Sequence, residues 1–236
     1  MLETEQLTGL SESHLVPVDD GHRLQGDAAR AFARLQRDAA AAGFELAIAS
    51  SFRSFSRQLA IWNGKACGAR PVHDDQGRPV TLAGLAPEEQ VHAILRYSAL
   101  PGTSRHHWGT DLDVFDAAAL GPGAQVRLEP DEVAPGGVFD SLHCWLDERM
   151  AAGRSHGFYR PYAVDRGGVA PERWHLSFAP LARDCGRQLS AGLLRACWDE
   201  AAPGSQLLLR EVLDGALPGL LQRYVAVPED WCTTGR

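Results

Sequence analysis

Ser104-Arg105-His106-His107-Trp108-Gly109-Thr110-Asp111-Leu112-Asp113 decides how this 236-residue chain is read. Two histidines and two aspartates flank one glycine. From Thr110 to Phe115 the residues alternate, which predicts a strand with Leu112 and Val114 toward a core and Asp111 and Asp113 on the other face. Gly109 permits a sharp turn between the polar loop and that strand. Far downstream, Glu172-Arg173-Trp174-His175 adds a histidine beside a carboxylate, at a turn leading into Leu176-Ser177-Phe178.

Upstream of the motif, residues 27–42 carry Phe32, Leu35 and Ala39 on one stripe and end at Gly43, which predicts a helix with Asp27 at its N-cap or in its first turn. Phe44 to Ala49 alternates as a strand and runs into Ser50-Ser51-Phe52-Arg53-Ser54. Ser54 is a suitable cap for a second helix over about 56–63, so Arg53 falls at a strand-to-helix junction and Gln58 in the first turns. Residues 64–86 read as an insertion, with a turn at Asp74-Asp75-Gln76-Gly77 between two short extended pieces. Pro87-Glu88-Glu89-Gln90 opens a helix to about Tyr97. Residues 117–137 are a second Gly- and Pro-rich excursion, and 139–152 read as a helix stopped by Gly153.

The tail has a different character. Leu189, Leu193, Leu194 and Cys197 fit one helix face, Leu207 to Leu213 a second helix, and Leu217, Leu220 and Leu221 a third. The expected organisation is a domain over residues 1–180 with a helical extension over 181–236 packed on it.

Composition narrows the function. Hydrophobic residues make up 44% and charged residues 22%, and net charge is −7, as in ordinary globular proteins. No basic cluster suits nucleic acid, and no apolar run reaches the roughly 20 residues of a membrane span. The N-terminal stretch lacks a basic start and a signal-length apolar run. A cytoplasmic protein is therefore expected, or a periplasmic one if a leader has been removed. Five cysteines, at 67, 144, 185, 197 and 232, show no paired spacing and are expected to be thiols.

The residue types point to metal-dependent hydrolysis. Catalytic zinc takes three protein ligands and keeps one open position. One histidine of the loop, one aspartate of the strand and His175 supply such a set. On the residues alone His107 competes with His106, and Asp111 with Asp113. Glu172 lies beside the third ligand and is free to act as a general base toward water.

Ser104-x-His106-x-x-Gly109-x-Asp111-x-Asp113, paired with Glu172-x-Trp174-His175, resembles the signature of the VanY-type D-alanyl-D-alanine carboxypeptidases and dipeptidases. The likeness extends to Ser51-Phe52-Arg53-Ser54 with Gln58, to Pro101-Gly102 and to Gly157-Phe158, covering roughly residues 27–180. It implies an α+β fold, with a small central antiparallel sheet flanked by helices, as in the hedgehog signalling domain. It implies one zinc ion on His106, Asp113 and His175, Glu172 as general base, and Arg53 on the polarised carbonyl or the substrate carboxylate. Gln58 and Ser104 would hold the substrate backbone. The implied substrate is a peptidoglycan-type peptide or muropeptide ending in D-alanine. The alternatives are an L,D-carboxypeptidase, an endopeptidase, or a non-catalytic zinc module. Two departures stand out. Asp111 replaces a small apolar residue and brings a charge beside the metal, and Phe52 stands where tyrosine is common.

Overall fold

The structure is a computed structural model describing residues 1–200 and 206–226. In chain order it contains α1 (Thr4–Leu7), β1 (Leu15–Pro17), β2 (Arg23–Gln25), α2 (Gly26–Ala41), β3 (Leu46–Ser50) and α3 (Phe55–Ala66). Then come β4 (Val72–His73), β5 (Pro79–Val80), α4 (Pro87–Leu95), a 3₁₀ turn (Arg105–Trp108) and β6 (Asp111–Asp116). The second half holds α5 (Pro130–Val133), α6 (Asp140–Ala151), β7 (Phe158–Tyr159), β8 (His175–Phe178), α7 (Ala179–Gln188), α8 (Ala191–Glu200) and α9 (Arg210–Tyr224). No helix among the described residues is long and apolar enough to cross a membrane.

The centre is a four-stranded antiparallel sheet ordered β3-β6-β8-β7. Its pleat separates two chemistries. Leu112, Val114, Leu176 and Phe178 face a core shared with Phe32 and Leu35 of α2 and Leu142 and Leu146 of α6. Asp111, Asp113, His175 and Ser177 occupy the alternate positions, on the opposite face. The expected α+β class, with a small antiparallel sheet flanked by helices, is therefore the observed one.

Local signals explain most elements. Helix α2 buries Ala28, Ala31, Phe32, Leu35 and Ala39 at helical spacing, with Asp27 in its first turn and Gln25 at the N-cap. Ser54 caps α3, its hydroxyl accepting from the Arg57 amide at 3.3 Å. In α4 the Glu89 carboxylate reaches back to the Ala86 amide at 2.9 Å. The first insertion forms the β4–β5 hairpin, and the second contains α5.

The tail differs from its expectation. Leu189 ends α7, a helix that follows β8 directly, and does not share a face with Leu193 and Cys197. The two expected helices over 207–213 and 217–221 are one, α9, with Pro218 inside it. A proline there cannot donate to the carbonyl of Asp214. That carbonyl instead accepts from Arg195 Nη2 of α8 at 2.7 Å, so no orphaned acceptor forces a break. Leu213, Leu217, Leu220 and Tyr224 then share one buried face. They join Phe55 and Trp62 of α3, Ile94 and Leu95 of α4, and Leu194 and Trp198 of α8 in a second core. Cys67 and Cys144 are exposed thiols, Cys185 and Cys197 buried ones; Cys232 lies outside the described residues.

Candidate active site

Two segments zip together to build the site. The Arg53 amide donates to the His106 carbonyl at 3.2 Å. His106 Nδ1 bonds the Ser51 carbonyl at 2.8 Å, and His107 Nδ1 bonds the Arg53 carbonyl at 2.6 Å. The 3₁₀ turn ends at Gly109, whose φ of +68° is left-handed; a Cβ there would come within 2.2 Å of Leu15 Cδ2.

These contacts separate the neighbouring histidines. His107 is fully buried, donates through Nδ1, and accepts from the Gly102 amide at Nε2, 3.2 Å away. Both its nitrogens are occupied, and burial pushes its pKa down to about 3. A Cβ on Gly9 would meet its ring at 2.3 Å, so the chain is closed around it. His106 uses only Nδ1 for the backbone, which leaves Nε2 free to face Asp113.

His106, Asp113 and His175 come together with their donor atoms all within 4.8 Å of one another. His106 Nε2 is 3.4 Å from Asp113 Oδ2, and His175 Nδ1 is 3.1 Å from Asp113 Oδ1. A tetrahedral zinc ion with bonds of ~2.0–2.1 Å sets ligand atoms about 3.3 Å apart. Asp113 Oδ1 is buried without a hydrogen bond despite its closeness to His175. A buried carboxylate oxygen and two imidazole nitrogens that converge in this way suit a divalent cation, and zinc by donor type.

Asp111 does not join this set. It is fully buried, with Oδ1 at 3.0 Å from His175 Nε2 and 2.8 Å from Arg105 Nε. The charge expected beside the metal is thus matched by a buried guanidinium. Burial raises the cost of the Asp111 carboxylate, but Arg105 and the His175 and Thr110 hydrogen bonds outweigh it and hold its pKa below the usual range.

Glu172 lies at the turn before β8. Its carbonyl accepts from the His175 amide at 3.1 Å, and its amide donates to the Tyr162 carbonyl at 3.0 Å. Oε2 is 3.6 Å from His175 Nδ1, and the side chain is 15% exposed, toward the cleft. Burial pushes its pKa up to about 7, with Asp113 assisting and His175 and Arg53 opposing. That value suits a base working near neutral pH. Trp174 is buried against Val133 and Phe139, which anchors the turn.

Arg53 lines the cleft, and burial lowers its pKa while Asp113 and Glu172 oppose the shift. Ser104 lines it as well, largely buried. Gln58 is placed elsewhere than the resemblance implied. It is fully buried behind Arg53, with Oε1 accepting from Arg53 Nη1 at 3.0 Å and Nε2 donating to the Ala99 carbonyl at 2.8 Å. Both ends of its amide are occupied by the protein, so it has no contact surface for substrate and serves to hold Arg53.

Several cleft residues escaped the sequence reading. Tyr162 packs edge-on to His175 with ring centroids 5.1 Å apart. Tyr224 and Val225, at the end of α9, form part of the wall, so the tail contributes to the cleft. Lys65 donates to Ser98, a cleft residue, at 2.7 Å. It lies seven residues after Gln58, on the same face of α3, which is the signal that locates it. Tyr97 and Leu128 also line a second cavity, between the Asp74–Gly77 turn and residues 127–131, so both insertions lie next to the cleft.

Comparison with known proteins places this geometry. The profile of a family described as VanY, D-alanyl-D-alanine carboxypeptidase, matches residues 21–181. An uncharacterized protein of Haemophilus influenzae is 48% identical over 103 residues, covering 42% of this chain and 70% of that one. A second uncharacterized protein of the same organism is 32% identical over 128 residues, covering 53% and 92%. The solved structure of VanYB in complex with D-alanine-D-alanine has a similar fold. Its TM-score is 0.50 at 19% identity, over 81% of this chain and 91% of that chain.

Proposed function

The chain belongs to the VanY family of D-alanyl-D-alanine carboxypeptidases, and from that premise we propose that it is a zinc-dependent carboxypeptidase or dipeptidase acting on D-alanine-containing peptidoglycan-type peptides. It is an enzyme of that peptidase family; the metal, the residue roles and the bond cleaved are our reading. The observation that carries the reading is the convergence of His106, Asp113 and His175 beside Glu172, whose pKa stands near 7.

Zinc held by those three residues would polarise the scissile carbonyl and acidify the attacking water. Glu172 takes the proton from that water and hands it to the leaving amine. Arg53, fixed from behind by Gln58 and Ser50, faces the carbonyl oxygen as it gains charge, or the substrate's terminal carboxylate. Ser104 presents its hydroxyl to the substrate backbone. The second cavity, which borders the cleft at Tyr97 and Leu128, favours a stem peptide over a free dipeptide.

The test is incubation of zinc-loaded protein with D-Ala-D-Ala and with muramyl tetra- and pentapeptides. Release of D-alanine from the pentapeptide is expected. Release from the tetrapeptide alone identifies an L,D-carboxypeptidase, and cleavage of cross-linked dimers an endopeptidase. No product from any of them, with one equivalent of metal bound, sinks the assigned substrate class.

A further inference from the structure

Asp111 and Asp113 are two residues apart on β6, so both project to the cleft side of the sheet. Across the ladder their partners are Ser177 and His175. The His175 ring therefore stands between two carboxylates, with Nδ1 at 3.1 Å from Asp113 and Nε2 at 3.0 Å from Asp111. A neutral imidazole has one proton to place between those nitrogens. Only with the proton on Nε2 does Nδ1 keep a lone pair for a metal.

The surroundings of Asp111 decide the matter. Its Oδ2 accepts from the Thr110 hydroxyl, and its Oδ1 from Arg105 Nε at 2.8 Å. Arg105 is itself fixed. Its Nη2 donates to the Tyr159 hydroxyl at 2.9 Å and to Ser177 Oγ at 2.6 Å, and its guanidinium lies over the Trp108 ring at 4.7 Å. Asp111 is thus an acceptor held in one place, with a hydrogen bond to offer only to an N–H at His175 Nε2. Asp113 Oδ1, facing Nδ1, receives no hydrogen bond. His106 is oriented by a peptide carbonyl, whereas His175 is oriented by a carboxylate whose charge Arg105 balances.

We propose that Asp111, locked by Arg105, is the positioning residue that holds His175 as its Nε2–H tautomer and presents Nδ1 to the metal. The pair fixes a ligand without adding net charge to the centre. The inference rests on the metal reading above, but its first test needs no metal. Burial lowers the His175 pKa but Asp111 and Asp113 raise it to about 9, so nitrogen-15 histidine spectra of the metal-free protein are recorded at about pH 10, where they are expected to show the neutral ring protonated at Nε2, with that proton protected from exchange. An Nδ1–H tautomer overturns the proposal outright.

The second test removes the pair. Asp111→Ala alone leaves a buried arginine unpaired, so the variant is Arg105→Met with Asp111→Ala, which strands no charge. It is expected to keep the wild-type circular dichroism, lose the Nε2–H signature, and bind zinc 10–100-fold more weakly in chelator competition. Arg105→Met with Asp111→Asn, which also strands no charge and whose amide oxygen still accepts from Nε2, is expected to retain the signature and most of the affinity. A folded Arg105→Met, Asp111→Ala variant with wild-type spectra and wild-type zinc affinity overturns the proposal. Should that variant fail to fold, the wild-type spectra decide alone. Wild-type protein that takes up no zinc overturns the metal reading instead, whatever the tautomer.

Discussion

Asp113 on β6 and His175 on β8 are direct partners across an antiparallel ladder. Side chains of such a pair point to the same face, about 5 Å apart at Cβ. The sheet register therefore sets two donors side by side, and the 3₁₀ turn before β6 supplies His106 as the third. Because the register is part of the core packing, a one-residue slip of either strand would send its donor into the apolar face and part the pair.

Replacing Glu172 by alanine removes the proposed base and leaves the three donors intact. Turnover is expected to fall about 10²–10⁴-fold, with metal stoichiometry unchanged. Rate measurements paired with metal analysis check both halves, and loss of metal along with activity would contradict the assigned role.

The pH profile follows from the same carboxyl. Its pKa is raised to about 7 by burial, and only its ionised form accepts a proton. Activity should therefore rise with pH through an acidic limb and be lost below it. A bound cation favours the ionised form, so the limb in the metal-loaded enzyme lies at or below about 7. A profile of kcat/KM against pH that is flat from 4 to 8 excludes Glu172 as the base.

The two neighbouring histidines should part company. His106→Ala is expected to abolish stoichiometric zinc binding. His107→Ala strands the Gly102 amide and the Arg53 carbonyl, both bonded to the ring, at a cost of about 1–3 kcal/mol for each buried group left unpaired. It should lower stability while the protein that remains folded still takes up metal. Equilibrium dialysis and denaturant unfolding separate the two effects.

Arg53 and Gln58 form another contrast. Arg53→Ala removes a cation that lines the cleft, and on the proposed role kcat/KM should drop by at least about 10²-fold, as for loss of one oxyanion donor. Gln58→Ala removes only the brace, so a smaller kinetic loss is expected, together with a stability loss of about 1–3 kcal/mol for the stranded Ala99 carbonyl. Equal kinetic effects would argue that Gln58 touches substrate itself.

Leu217 lies on the buried face of α9. Leu217→Ala is expected to destabilise the protein by about 2–5 kcal/mol, read as a lower urea midpoint with an unchanged slope. Tyr224 of the same helix bonds His92 at 2.8 Å and borders the cleft. Tyr224→Phe should weaken that wall and alter KM more than stability. An α9 that contributes to neither would leave the Leu217 variant unchanged.

Much of this was legible in residues close together in the chain. The period-two pattern of Thr110 to Phe115, the Ser54 cap and the Gly109 turn are local, and they placed β6, α3 and the loop between them. The resemblance of the His106–Asp113 and Glu172–His175 motifs named the residues that the structure brings together. The tail was legible only as apolar stripes. The merger of two expected helices into α9 depends on Arg195 covering the Asp214 carbonyl, a contact between separate helices.

The sequence by itself determined the sheet's two-faced character, the strand-to-helix junction that carries Arg53, and which residue types meet the demands of a metal. Tertiary structure alone decided which of two adjacent histidines faces Asp113, that Asp111 turns to Arg105 and His175, and that Gln58 braces Arg53. Those choices rest on which hydrogen-bond partner each buried nitrogen or oxygen finds. In every case the partner lies on another element or across the sheet. Local spacing constrains where a side chain can point, but only the assembled core supplies the group it must pair with once water is excluded.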